Sequence, residues 1–167
     1  MATYTLISSV TVGSGGAANI EFTGIPATYT DLLVKFSSNA TTQTPRVRFN
    51  NSSSSIYSEL LLYATGSTAA PASNTNTTYF DWAALGNSST SSFFGNSEFY
   101  IANYAGSSNK SVSTNSATEI NSATGNFLHL NAALWASTAA ITSILIYNNV
   151  GTFNQYTSAY LYGISNA

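Results

Sequence analysis

The chain has 167 residues, a net charge of -2 carried by 4 basic and 6 acidic side chains, one histidine and no cysteine. Ser, Thr and Asn supply 67 residues, alongside 2 Trp, 11 Tyr and 9 Phe. So many aromatics at so low a charge exclude a disordered polar chain; four basic residues exclude a groove along a phosphate backbone; the missing cysteines exclude disulfides, thiolate chemistry and cysteine-built zinc sites.

The length fits one domain, residues 1–167, with room for a core. Met1-Ala2-Thr3-Tyr4-Thr5 has neither the basic start nor the apolar run of a secretory signal, so no leader is expected. Period-two alternation recurs from end to end, and no helical period is sustained. Tyr4, Leu6, Val10 and Val12 share a face, Gly13-Ser14-Gly15-Gly16 permits a reversal, and Ala18, Ile20 and Phe22 alternate with polar neighbours. A hairpin is predicted there. Beyond Gly24-Ile25-Pro26, Leu32, Val34 and Phe36 predict a third strand, and Val47 and Phe49, alternating with Arg46 and Arg48, a fourth.

Asn50 to Ser55 reads as a loop, and 56–63 as a strand. The stretch from Ala64 to Asn76 lacks periodicity and reads as a long exposed loop. Strands return at 77–85, 92–101, 109–119, 125–134, 140–147 and 157–164. The apolar region Ala132 to Tyr147 is too short and too polar for a membrane span of about 20 residues, and reads as two buried strands with a turn between them. The expectation is all-β: an antiparallel two-sheet sandwich of about ten strands, the jelly roll being one form of it.

Chemistry has few footholds. Asp31, Glu59, Asp81, Glu98 and Glu119 each stand alone in their segments, so no catalytic pair is legible and no enzyme activity is expected. His129 lies between Leu128 and Leu130 with no nucleophile motif nearby, which suits a packed or interfacial histidine. No ligand spacing marks a metal, and no cofactor is expected. The aromatics Tyr79, Trp82, Phe93, Phe94 and Tyr104 are the candidate contacts with a partner or another subunit; if 92–101 is a strand throughout, consecutive Phe93 and Phe94 point to opposite faces. A surface dressed in Ser, Thr and Asn opposes association weakly, so a homo-oligomer is expected, the trimer being the favoured form.

The segments Ala2-Thr3-Tyr4-Thr5-Leu6-Ile7-Ser8-Ser9-Val10-Thr11-Val12-Gly13, Ile20 to Leu32, Ile101 to Ser107 and Tyr156 to Ser165 resemble a type of small virion protein encoded by tailed phages of marine and freshwater bacteria. The resemblance covers most of the chain and implies a sandwich-type virion component, without assigning a role to any single residue. On it rests the expectation of a capsid decoration, or cement, protein. Such a protein sits on the outer surface of the head, with the major capsid protein as its partner. The alternative is a tail or head-fibre module that recognises a host-surface glycan. Neither reading involves nucleic acid or membrane.

Overall fold

The computed structural model describes residues 1–40, 45–82, 86–87, 93–121 and 126–165, and among them every regular element is a strand. One sheet takes β1 (Thr3–Thr11), β3 (Asp31–Ala40), β5 (Tyr57–Thr65), β6 (Thr68–Thr77), β8 (Gly86–Asn87), β9 (Gly95–Ile101), β10 (Lys110–Thr118), β11 (Phe127–Trp135) and β13 (Ser158–Ser165). Its order is β1-β13-β3-β9-β10-β11-β5-β6, all antiparallel, with the two-residue β8 parallel beside β3. The smaller sheet is β2 (Asn19–Phe22), β12 (Ile144–Asn148), β4 (Pro45–Phe49) and β7 (Phe80–Asp81), in the order β2-β12-β4-β7. The chain is an all-β sandwich.

Alternation places the core. Leu32, Val34 and Phe36 of β3 and Phe99 and Ile101 of β9 point toward the small sheet, whose Ile20, Phe22, Val47, Phe49, Phe80, Ile144 and Ile146 answer them, all buried. Aromatic contacts cross between the layers: Phe49 lies edge-on to Trp135 at 5.6 Å, and Phe80 to Phe99 at 6.1 Å. Each such pair contributes about 0.5–1.5 kcal/mol beyond its buried area.

Three expectations are corrected. The predicted hairpin around Gly13-Ser14-Gly15-Gly16 is a crossover, because β1 pairs with β13 in one sheet and β2 with β12 in the other. Gly16 makes it feasible: its φ is 71°, and a Cβ there would lie 3.0 Å from the Phe153 carbonyl, which accepts from the Ala17 N–H. The long loop expected over 64–76 is mostly strand, β6 returning along β5 through the two-residue turn Gly66-Ser67. Backbone pairing can recruit a segment with no apolar period; Pro71 is tolerated because β6 is an edge. Finally, the two buried strands expected within 132–147 are present as β11 and β12, but the link expected to be a turn, 136–143, crosses from one sheet to the other. Of the strand predicted at 77–85, Phe80–Asp81 is strand, while 83–85 lie outside the described residues, as do 92 and 125 at the starts of two others.

The edges are blunted from within. β1 carries an irregularity between Leu6 and Ser8, β6 carries Pro71, β2 has four residues and β7 two. Bulges, proline and shortness all discourage pairing with a foreign strand.

Candidate functional site

The small sheet covers one face of the large sheet, and among the described residues nothing covers the other. Successive rows across that face follow from the strand registers. One runs Leu6, Tyr162, Leu33, Tyr100, Ser113, Ala132, Leu60, Ser73, and the next Ser9, Tyr160, Lys35, Glu98, Asn115, Leu130, Leu62, Pro71. The open face therefore has a tyrosine-rich end on β1, β13, β3 and β9, and a leucine-rich end on β11 and β5.

At the leucine end Leu60 is 63% exposed, Leu62 52%, Leu128 51% and Leu130 51%. Leu62 sits directly opposite Leu130. Leu60, Leu62 and Leu130, with Pro71, Ala132 and Ser113, line an open groove of about 500 Å³. Scattered surface leucines are ordinary, whereas four adjacent ones form a patch of the kind that marks a contact. At the tyrosine end Tyr4, Leu6, Tyr100 and Tyr160 are exposed. The Tyr100 hydroxyl donates to Asp31 Oδ2 at 2.6 Å, and that bond to a carboxylate, helped by desolvation, pushes its pKa up to about 12. The Asn103 N–H donates to the other oxygen, Oδ1, at 2.8 Å, which fixes the Asp31 carboxylate.

Between the two ends lies a polar bridge. Lys35 Nζ pairs with Glu98 Oε2, and Asn115 donates to Glu98 Oε1 at 2.8 Å. The lysine hydrogen bond, then that of Asn115, holds the Glu98 carboxyl below its ordinary range. No family model, no curated protein and no solved structure matches the chain. What the surface can do must therefore be argued from its own chemistry.

The five aromatics singled out in the sequence separate. Trp82 and Tyr104 have no exposed surface, which corrects their place among partner contacts. Trp82 stacks on Phe36 at 4.8 Å, meets Phe99 edge-on at 4.6 Å, and donates from its indole to the Glu98 carbonyl at 3.2 Å. Tyr104 donates its hydroxyl to the Pro26 carbonyl and accepts from the Tyr29 N–H. An aromatic with a satisfied polar tip is a good core residue, and both fill that role. Tyr79 is half-buried beneath the Arg46 guanidinium, 3.8 Å from its ring centre. Phe93 and Phe94 are 44% and 40% exposed. They precede β9 rather than lie within it, so strand alternation does not separate them. The structure leaves these two exposed and does not join them to the leucine patch.

The carboxylates expected to stand alone include one pair brought together. The Asp81 N–H donates to Glu59 Oε2 at 3.0 Å, Asn131 donates to the same oxygen at 3.0 Å, and Asn74 donates to Glu59 Oε1 at 2.7 Å. Arg46 faces Asp81 at 3.4 Å. Desolvation raises both carboxyl pKa values, against the lowering effect of these partners. Both Glu59 oxygens are occupied by donors, so the cluster ties β5, β6, β7 and β11 together. His129 lies on the covered face, tilted against the Tyr63 ring at 5.8 Å, and burial pushes its pKa down. Among the described residues no group of three or more acidic or histidine side chains is placed to hold a metal ion.

Sequence reasoning missed the leucines, although a signal was there. Leu60-Leu61-Leu62 breaks alternation, and Phe127, Leu128, His129 and Leu130 place bulk at both parities. A strand with large apolar side chains on both faces needs two covers, or has one face open.

Proposed function

We propose that this chain is a structural protein of a phage particle, a decoration protein that binds the outside of the head across neighbouring major capsid subunits. The observation that carries the reading is the open face of the large sheet: broad, weakly charged, and apolar at its leucine end. The resemblance of the four quoted segments to tailed-phage virion proteins supplies the context. A neutral face of this kind binds through buried area and shape, since it offers few charges for steering or for rejecting partners. Copies engaging one shell together would gain affinity through effective concentration, and binding only the assembled state would stabilise it by mass action.

Antibody labelling of intact particles under the electron microscope tests the location. Label spread over the head supports decoration, and label confined to the tail overturns it. Particles lacking the protein should also lose resistance to heat or osmotic shock.

A receptor-binding module is the second reading, favoured by the exposed Tyr4, Tyr100 and Tyr160, which offer ring faces to a sugar. Trp82 cannot serve there, being buried. Glycan-array binding that is lost on Tyr160→Ala would support this alternative; a blank array would remove it.

A further inference from the structure

We propose that the leucine end of the open face docks a second copy of this chain. The contact is two-fold and face to face, its axis parallel to the strands between β11 and β5. The inference rests on reading the open face as an assembly surface; it gives the leucine end of that face to a second copy and leaves the tyrosine end, with Tyr4, Leu6, Tyr100 and Tyr160 exposed, to the head.

The register carries it. Three consecutive pairs across β11 and β5 read Leu128 beside Ala64, Leu130 beside Leu62, and Ala132 beside Leu60. A two-fold axis between these strands lays β11 of one copy over β5 of the other, row upon row. Leu128 then stands over the second copy's Ala64, and Leu60 over its Ala132, so each large side chain meets a small one. Only the central row sets leucine against leucine. The flanking strands obey the same operation: Ala117 of β10 falls opposite Ala69 of β6, Asn115 opposite Pro71, and Ser113 opposite Ser73. Small residues at the rim let the central leucines interdigitate at the roughly 10 Å spacing of packed sheets.

Charge and area agree with a copy as the occupant. None of these twelve side chains is ionisable, so the patch meets itself without like-charge repulsion and gives a basic or acidic partner nothing to pair with. Ser and Asn both donate and accept, so identical rims can hydrogen-bond to one another. Four strands at about 4.8 Å spacing and four rows at about 6.8 Å, the fourth being Ser111, Leu134 and Ser58, in which Leu134 again falls opposite a small residue, cover about 500 Å² per copy. The total, about 1,000 Å², stands at the lower limit for a specific interface. The dimer is therefore weak in solution.

Sedimentation velocity of the full chain over a concentration series tests this. Wild type is expected to pass from monomer to dimer, and Leu130→Asp to raise the dissociation constant by about tenfold or more. Ala64→Leu and Leu128→Ala should each weaken the dimer, the first by filling the recess and the second by removing the side chain that fills it. Both changes in one chain exchange large for small and should restore association. Circular dichroism melting confirms that each variant folds. A wild type that stays monomeric at every concentration overturns the proposal, as does a double variant no better than the worse single one. A monomeric chain that still binds phage heads sinks the self-docking alone; a dimer that binds no particle sinks the decoration reading alone.

Discussion

The two faces of β5 and β11 carry similar amounts of apolar side chain and meet opposite fates. On the covered face Tyr57 and Trp135 stack at 6.4 Å beneath Phe49, with almost no exposure. On the other face Leu62 and Leu130, directly paired and equally apolar, remain half exposed. Apolar character does not decide burial. What decides it is whether another element of the fold lies over that face, and the small sheet covers only one.

That contrast is broken most severely from the covered side. Trp82→Ala removes contacts with Phe36 and Phe99 and should cost about 3–5 kcal/mol in urea unfolding. Next come two positions where the packing is tight or the polar group has no substitute. A Cβ on Gly163 would lie 2.3 Å from the Tyr29 ring, so Gly163→Ala should cost about 1–3 kcal/mol. Lys110 is fully buried with its Nζ donating to the Gly106 and Ser108 carbonyls, and burial holds its pKa down. Lys110→Met leaves both carbonyls without that donor, at a cost of about 1–3 kcal/mol and with faster amide exchange over residues 102–109.

The open face should respond least. Leu62→Ser should change monomer stability by no more than about 0.5 kcal/mol while weakening self-association. A variant that instead unfolded the chain would show that the leucines support the fold, and the contrast between the faces would fail.

Titration sharpens the same contrast, since burial on the covered side works against the charged forms of Glu59 and His129. Glu59 has its folded pKa raised by burial, so between its ordinary value of 4.5 and the raised value the folded state holds more proton than the unfolded. Wild type should therefore gain stability relative to Glu59→Gln as the pH falls from 7 toward 4.5. His129 has its pKa lowered from 6.5, so the unfolded state takes up the proton first as the pH falls. Relative to His129→Gln, wild type should lose stability below pH 6.5. Denaturation midpoints across pH 4.5–7 measure both, and a flat difference in either series would refute that assignment.

Much of the fold was legible because a half-buried strand must alternate. Val34 with Phe36 and Val47 with Phe49 are buried, while the alternating Lys35, Arg46 and Arg48 keep some access to solvent. Less was legible where pairing rather than burial makes the strand. β6 has little apolar pattern, and only its ladder with β5 gives it form. The aromatic candidates misled for a related reason: ring size predicts a large contact area without saying which side of the sandwich supplies the contact, and Trp82 and Tyr104 spend theirs inside. The leucine patch had a readable trace in Leu60-Leu61-Leu62, but its completion by Leu128 and Leu130 needed a pairing between strands some seventy residues apart, as Leu62 and Leu130 show.

By itself the sequence determined the all-β class, the strands that alternate, the lack of cysteine chemistry and the scarcity of charge, because these depend on composition and on local backbone geometry. Tertiary structure decided which strands are neighbours, that Glu59 and Asp81 meet, that Trp82 is core, and that four leucines share one open face. Register is the physical reason. A one-residue shift in pairing turns every side chain of a strand to the other face, and that choice is made by contacts between distant segments that no local pattern contains.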